Sequence, residues 1–340
     1  MSSRRATSRL RREQMTLPPA NIRPFGTFSS ICRTIPSPSG CSLSTRSHLK
    51  SKHLRTRELV DRIWRGVRNV TDRSLLAANR LRFHLFFKNE PADAEYCNSK
   101  RIRLLKKPAE DRNRRPFLAV IRCGANHCLI DDGSERKFDI ALNLYAPPKE
   151  RSLDDCEYSY SGGANKYKGA YQFIDDALLE TYRGFMFLDD DLEMTYSDLN
   201  RFLEYCWAHG FGLAQPSLTS DSCYSHGHLL NASRSGWRSV GMVEVMCPYF
   251  SRDALRLALN TFDLSYSTWG LDLLWPRLLD LEPVVVDEFS IKNTKPVGGS
   301  DSAFYAYLRR IGVSPQREAK KLKSMPNEKV RSIAARRVRG

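Results

Sequence analysis

The run Phe185–Leu188 (FMFL) ends in three consecutive carboxylates, Asp189, Asp190 and Asp191, and no other feature limits the fold as much. An apolar run this short, opened by Gly184 and closed by acids, has the length of a buried strand rather than of a helix. Three adjacent carboxylates repel one another, and inside a fold they cost stability unless a cation neutralises them. The strand must therefore carry them out to a rim, and in open α/β sheets the carboxyl-end rim is where ligands bind. Alternate residues of a strand end share a side, so Asp189 and Asp191 can share a hard divalent cation. Mg2+ or Mn2+ takes oxygen ligands and leaves positions open for phosphate oxygens. A solvated acidic turn or helix start accommodates the same triplet; the placement at a strand end favours the metal–phosphate reading.

The flanking sequence alternates strands and helices. Phe117–Arg122 (FLAVIR), stopped by Cys123-Gly124, and Phe138–Tyr145 read as strands. Tyr171–Tyr182 has helical spacing, and Ser197 caps a helix through His209 with Gly210 at its stop. Phe211–Ala214 reads as a strand, Ser251 caps a helix over Arg252–Leu259, and Pro283–Val286 is a late strand. This order predicts a Rossmann-like α/β three-layer sandwich around a mainly parallel central sheet. No apolar run approaches the roughly 20 residues that span a bilayer. Nine cysteines, an odd count without a CxxC pair, read as reduced thiols of a cytoplasmic protein.

The net charge of +16 is unevenly spread. Residues 1–115 hold 27 basic and 9 acidic side chains, 116–315 hold 18 and 27, and 316–340 hold 9 and 2. The chain thus divides into four segments: a disordered basic tail over 1–57, amphipathic helices and a linker over 58–115, a catalytic domain over 116–312, and a basic tail over 313–340. The acidic middle argues against nucleic acid as the partner, whereas the basic flanks suit peripheral contact with an anionic membrane surface.

Other residues carry candidate chemistry. Asp272, within Trp269-Gly270-Leu271-Asp272, is an acid among aromatics and leucines; it reads equally as a raised-pKa general base or as a helix-capping residue. Glu244 interrupts an apolar run, either as a buried paired acid or as a contact to an acceptor hydroxyl. Gln215–His228 reads as a polar loop lining a substrate pocket, with Gln215, Asp221 and His226 as contacts; Trp269 belongs to the same substrate set. His226 and His228 with Cys223 or Asp221 imitate a metal site, but the spacing is weak. Lys292-Asn293-Thr294-Lys295 follows a strand and reads as a phosphate neighbourhood or as a basic surface turn.

Taken in order, FLDDDLE, GLAQPSLTSDSCYSH (Gly212–His226), VEVMCPYFSRDAL (Val243–Leu255), WGLDLLWP (Trp269–Pro276) and KNTKPVGG (Lys292–Gly299) resemble an uncharacterised-domain family of bacteria and plants. Its members are similar to glycosyltransferases of the GT-A fold. The likeness spans about Arg115 to Ile311. It implies a GT-A-like domain that moves a sugar from a nucleotide-sugar donor, a UDP-sugar being the first guess, to the hydroxyl of a glycan or small-molecule acceptor. Asp189, Asp190 and Asp191 then match a DxD-like element binding Mn2+ or Mg2+ and the diphosphate, with Lys295 beside it. Asp272 matches the acid of a WGLD motif, as base or acceptor contact. Where that family usually shows a histidine this chain has Asn293, which offers a carbonyl oxygen as a weaker metal ligand. A non-catalytic nucleotide- or glycan-binding module that keeps the fold is the alternative.

Overall fold

Alternation decides the layers. In the strand Phe117–Cys123, Phe117, Ala119 and Ile121 join one buried cluster while Leu118 and Val120 join another, so the strand is covered on both faces, as parallel strands are. The computed structural model describes residues 100–109, 113–124, 126–146, 153–233, 236–295 and 302–335, all within one compact unit, Arg68–Gly340. The tail expected over 1–57 and the amphipathic helices expected before residue 88 lie outside the described residues.

The strands are β1 (Arg103–Lys106), β2 (Phe117–Cys123), β3 (Leu129–Ile130), β4 (Phe138–Leu144), β5 (Tyr158–Ser161), β6 (Gly184–Asp189), β7 (Leu192–Thr195), β8 (Leu213–Leu218), β9 (Trp237–Ser239), β10 (Tyr249–Ser251) and β11 (Val284–Asn293). The helices are α1 (Lys166–Phe173), α2 (Asp176–Thr181), α3 (Tyr196–Ala208), α4 (Arg252–Ala258), α5 (Leu271–Leu279), α6 (Ser302–Arg310), α7 (Pro315–Lys323) and α8 (Asn327–Ala334). The sheet runs β1-β5-β4-β2-β6-β10-β8-β11-β7-β3, with β9 paired to β11. β5, β4, β2 and β6 are parallel. β10 lies antiparallel between β6 and β8, and β11 is parallel to β8. From β2 the chain steps outward to β4 and β5, then returns to β6 on the other side of β2. Such a reversal of strand order is, as a general rule of open α/β sheets, where a crevice opens outside the carboxyl ends of the strands, here those of β2 and β6.

α3 contributes Leu199, Phe202 and Leu203 to one core cluster; α1, α4, α5, α7 and α8 contribute to the other. The α/β sandwich is thus present, with several boundaries moved and with a mixed sheet in place of the mainly parallel one expected: β5, β4, β2 and β6 form a parallel block, while β1, β9 and β10 pair antiparallel and β7 is antiparallel to β11. The helix expected over Tyr171–Tyr182 is two helices, α1 and α2, separated where Ile174 turns extended and Asp175 caps the second. α3 is capped by Thr195 rather than Ser197, the Thr195 hydroxyl accepting from Asp198 N at 3.1 Å. β8 and β11 run on past the short apolar stretches that announced them. Within the expected linker, Arg103–Lys106 is an edge strand. Residues 315–334, assigned to a basic tail from their charge, form helices that bury Leu322, Val330 and Ile333 in the core. Charge alone misplaced them, because long cationic side chains occupy the outer face of a packed helix as readily as a free tail.

Candidate functional site

Five aromatic rings form a floor beneath the crevice. Phe187 of β6 lies edge-on to Phe250 at 5.8 Å and to Phe262 at 5.3 Å, and Trp275 of α5 packs on Phe250 at 5.0 Å and on Tyr167 of α1 at 5.2 Å. Each polar residue above the floor is near one of these anchors in sequence: Asp189 follows Phe187, Lys166 adjoins Tyr167, and Asp272 precedes Trp275 by one helical turn. The Tyr167 hydroxyl also donates to Val245 O at 2.5 Å, fixing the segment that carries Glu244.

Asp189 leaves β6 directly opposite Arg122 of β2. The ammonium of Lys166 is buried, its side chain 4% exposed, and donates to Asp189 Oδ1 at 2.9 Å and to Met246 O at 3.0 Å. An interior ammonium is tolerated only with such partners. Lys166 reaches this position through a tight turn from β5 in which Gly162 and Gly163 both have φ of 86°. A Cβ on Gly163 would lie 2.3 Å from Gly169 Cα. Asp190 Oδ2 accepts from the Tyr145 hydroxyl at 2.5 Å and from Gly124 N at 3.3 Å, and Lys295 Nζ stands 3.5 Å from its Oδ1. The Asp191 carbonyl accepts from Thr294 N and Thr294 Oγ1, both at 2.9 Å. Burial, with the negative charges of Asp189 and Asp190, pushes the Asp191 carboxyl up to about 7.

Two further carboxyl groups border the triplet. Glu244 is buried, with Oε2 lacking a hydrogen-bond partner among the described residues. Burial first, then the charges of Asp272 and Asp189, push it up to about 8. His226 Nε2 stands 3.8 Å from its Oε1, while burial lowers the imidazole pKa. Asp272 lies in the first turn of α5, its Oδ1 accepting from Leu273 N at 2.9 Å. The cap position of α5 is Gly270, so the helix-capping reading of Asp272 is corrected to an acid within the first turn; burial raises its carboxyl to about 6.

The other expected site residues separate. Gln215 is wholly buried in β8, and its carboxamide oxygen holds Glu244 N at 2.7 Å; it supports the site instead of lining a loop. Asp221 is exposed and engaged by Lys292 at 2.6 Å and Thr219 at 2.7 Å. Asn293 is buried next to β7 opposite Leu192, its Oδ1 accepting from Lys295 N at 3.3 Å and its Nδ2 facing Met246 Sδ at 3.8 Å. Trp269 is 40% exposed at the lip. Sequence reasoning missed Lys166, Arg122 and Tyr145. The signal for Lys166 was Gly162-Gly163-Ala164-Asn165-Lys166, a glycine turn plus an Asn cap placed directly after YSYS, a strand hidden by its polar composition.

The donor set suits a hard cation without caging one. Among the described residues, no three His, Cys, Asp or Glu side chains converge as a metal-holding group, and Asp189 and Asp190 already face lysines. Asp189, through the oxygen that Lys166 leaves free, and Asp191 would be the pair to hold Mg2+ or Mn2+, ions that ordinarily complete their shells with water and phosphate. The six described cysteines form no disulfide. Among the described residues, no helix is long and apolar enough to cross a membrane.

No protein-family model matches this chain, and no curated protein matches it in sequence. Among solved structures it is similar to the crystal structure of S. aureus TarS, at 11% identity and a TM-score of 0.38, covering 65% of this chain and 42% of that one. It is also similar to S. aureus TarS 1-349 in complex with UDP (11% identity, TM-score 0.36, 65% and 70% covered) and in complex with UDP-GlcNAc (12%, 0.35, 66% and 72%). The chain spans about two fifths of the first of these. At such distance the likeness carries no argument, and the chemistry has to be read from this chain's own strands and side chains.

Proposed function

We propose that this protein is a glycosyltransferase with a GT-A-like domain, taking its sugar from a nucleoside-diphosphate donor. One observation carries the reading: Asp189–Asp191 stand at the carboxyl end of β6, beside the reversal of strand order, with the Lys166 and Lys295 ammonium groups against them and two raised-pKa carboxyls nearby. A crevice combining cations, acids with room for a cation, and a carboxyl poised near neutrality meets the needs of sugar transfer from a diphosphate. Lys295, exposed beside Asp190, would face phosphate oxygens, while the buried Lys166 holds the Asp189 carboxylate in place. Asp189 and Asp191 would hold a divalent cation, which supplies further stabilisation of the charge that grows on the leaving diphosphate. Asp272 takes the proton from the acceptor hydroxyl as its oxygen attacks the anomeric carbon; a carboxyl near pH 6 is ionised at neutral pH yet basic enough for this task. Glu244, protonated at the same pH, would offer the hydroxyl of its unpartnered carboxyl to the acceptor.

The test is release of nucleoside diphosphate from a panel of UDP-, GDP-, ADP- and CDP-sugars, with and without Mn2+. One nucleotide class is consumed. Asp272→Asn lowers turnover by about a hundredfold or more while nucleotide affinity holds. Asn293, standing where the similar family usually has histidine, favours a second reading, a module that binds the nucleotide without turnover. Binding with no consumption of any donor would select that second reading.

A further inference from the structure

The segment Ser265–Gly270, which delivers Trp269 and Asp272, holds a conformation its own sequence does not favour. Thr268 has φ of 68° and Gly270 φ of 89°. A β-branched residue in the left-handed region is an outlier that persists only where its surroundings over-determine it. Here they come from two sides. Asn165, the cap of α1 and immediate neighbour of Lys166, donates through Nδ2 to Ser265 O at 3.1 Å and Tyr266 O at 2.9 Å. From the opposite side Glu318 of α7 accepts four hydrogen bonds: Tyr266 N to Oε1 at 3.0 Å, and Ser267 N at 2.8 Å, Ser267 Oγ at 2.6 Å and Ser265 Oγ at 3.0 Å to Oε2. Ser267 Oγ in turn accepts from Trp269 N at 3.3 Å. The backbones also press together, for a Cβ on Gly270 would lie 2.8 Å from Ala319 Cα. Ser265 and Ser267 are buried, so water cannot replace the carboxylate.

We propose that Glu318 is a positioning residue: its carboxylate clamps the strained Ser265–Gly270 loop against the first turn of α1, and so sets where Asp272 and Trp269 stand relative to Asp189–Asp191. The C-terminal helices are then a working part of the site, although α7 lies beyond the last sequence motif. The placement of the loop is independent of the reaction; the consequence for turnover rests on the glycosyltransferase reading. Glu318→Gln keeps the shape but turns an NH2 group toward backbone N–H donors. Glu318→Asp keeps the charge on a shorter arm.

The experiment is backbone amide exchange across Ser265–Leu271 in the full chain, followed by nucleotide binding and donor consumption for wild type, Glu318→Gln and Glu318→Asp. In Glu318→Gln, amides 266, 267 and 269 exchange about tenfold faster or more, the loss expected for bonds to a charged acceptor, while amides of the β2 and β6 core stay protected. Glu318→Asp exchanges between the two. Unchanged exchange in Glu318→Gln overturns the clamp whether or not the protein is an enzyme. In an active protein, turnover falls about tenfold or more with KM for the donor held, and Asp restores part of it. Equal turnover of wild type and Glu318→Gln, despite loosened amides, overturns the positioning role. An inactive wild type with a loosened Glu318→Gln loop contradicts the glycosyltransferase reading and leaves the clamp standing. Should Glu318→Gln fail to fold, Ser267→Ala, which removes only one of the four donors, decides by the same exchange at amides 267 and 269.

Discussion

Replacing Glu244 with Gln should stabilise the protein at alkaline pH and leave it unaffected at acid pH. The reason is the buried carboxyl, whose Oε2 has no partner among the described residues and whose neighbours Asp272 and Asp189 are also acids. Its pKa rises from the ordinary 4.5 to about 8. The folded state therefore keeps a proton that the unfolded chain has released across that whole interval. Stability is full below the unfolded value and is lost as pH climbs through the folded one. Holding that proton against a tenfold fall in proton concentration is worth about 1.4 kcal/mol, so the interval from pH 5 to pH 8 bounds the loss at about 4 kcal/mol. Relaxation and water entry upon ionisation bring the figure to test nearer about 2 kcal/mol. Gln has the same shape and no charge at any pH. Urea unfolding followed by tryptophan fluorescence at pH 5, 6, 7 and 8 reads the difference between wild type and Glu244→Gln. Contributions of Asp191 and Asp272 have the same sign but largely cancel in that difference. A gap that opens steadily above pH 5 supports the reasoning, and a gap constant across the four pH values refutes it.

Asp189→Ala strands the Lys166 ammonium in the interior and should cost about 3 kcal/mol of unfolding free energy at pH 7; the double change with Lys166→Met should recover most of it, and an additive pair of losses in denaturant unfolding contradicts the pairing. Gly270→Ala imposes a left-handed φ of 89° on a residue with a Cβ and drives that Cβ toward Ala319 Cα. It should lower stability by about 2 kcal/mol or more, visible as a fall in Tm; an unchanged Tm contradicts the close approach. Asn293→His places an imidazole where the resemblance of the sequence motifs implies a metal ligand and should tighten Mn2+ binding measured by calorimetry about tenfold or more, whereas unchanged affinity contradicts a metal-holding role for position 293.

The framework was legible because its strands are short apolar runs ending in hard stops. FLAVIR and FMFL read as interior strands, and the ending of FMFL in acids favoured a rim over a plain acidic turn for the Asp triplet. What the pattern hid shares a physical character. β5 reads YSYS, a hydroxyl on every residue, yet Tyr158, Ser159 and Tyr160 are buried, so hydropathy gives no warning of the strand that launches Lys166. α7 is cationic on its outside and carries one buried leucine, so composition labelled it a tail. Gln215 and Asp221 were marked for their polarity, whereas burial assigns the first to support and an ion pair engages the second. Asp272 and Glu244 were recognised as acids in apolar settings, but only their proximity in the fold shows that the charge of Asp272 raises the cost of ionising Glu244.

Calorimetric titration of the protein with uridine diphosphate and Mn2+, repeated with Asp191→Asn and with the other nucleoside diphosphates, tests most directly whether the β6 rim is a diphosphate site. Saturable binding of one nucleotide by the wild type, weakened about tenfold or more when Asp191 loses its charge, is the predicted result. Well-folded wild type that takes up no nucleoside diphosphate at millimolar concentration, or that binds one equally well without the Asp191 carboxylate, contradicts it.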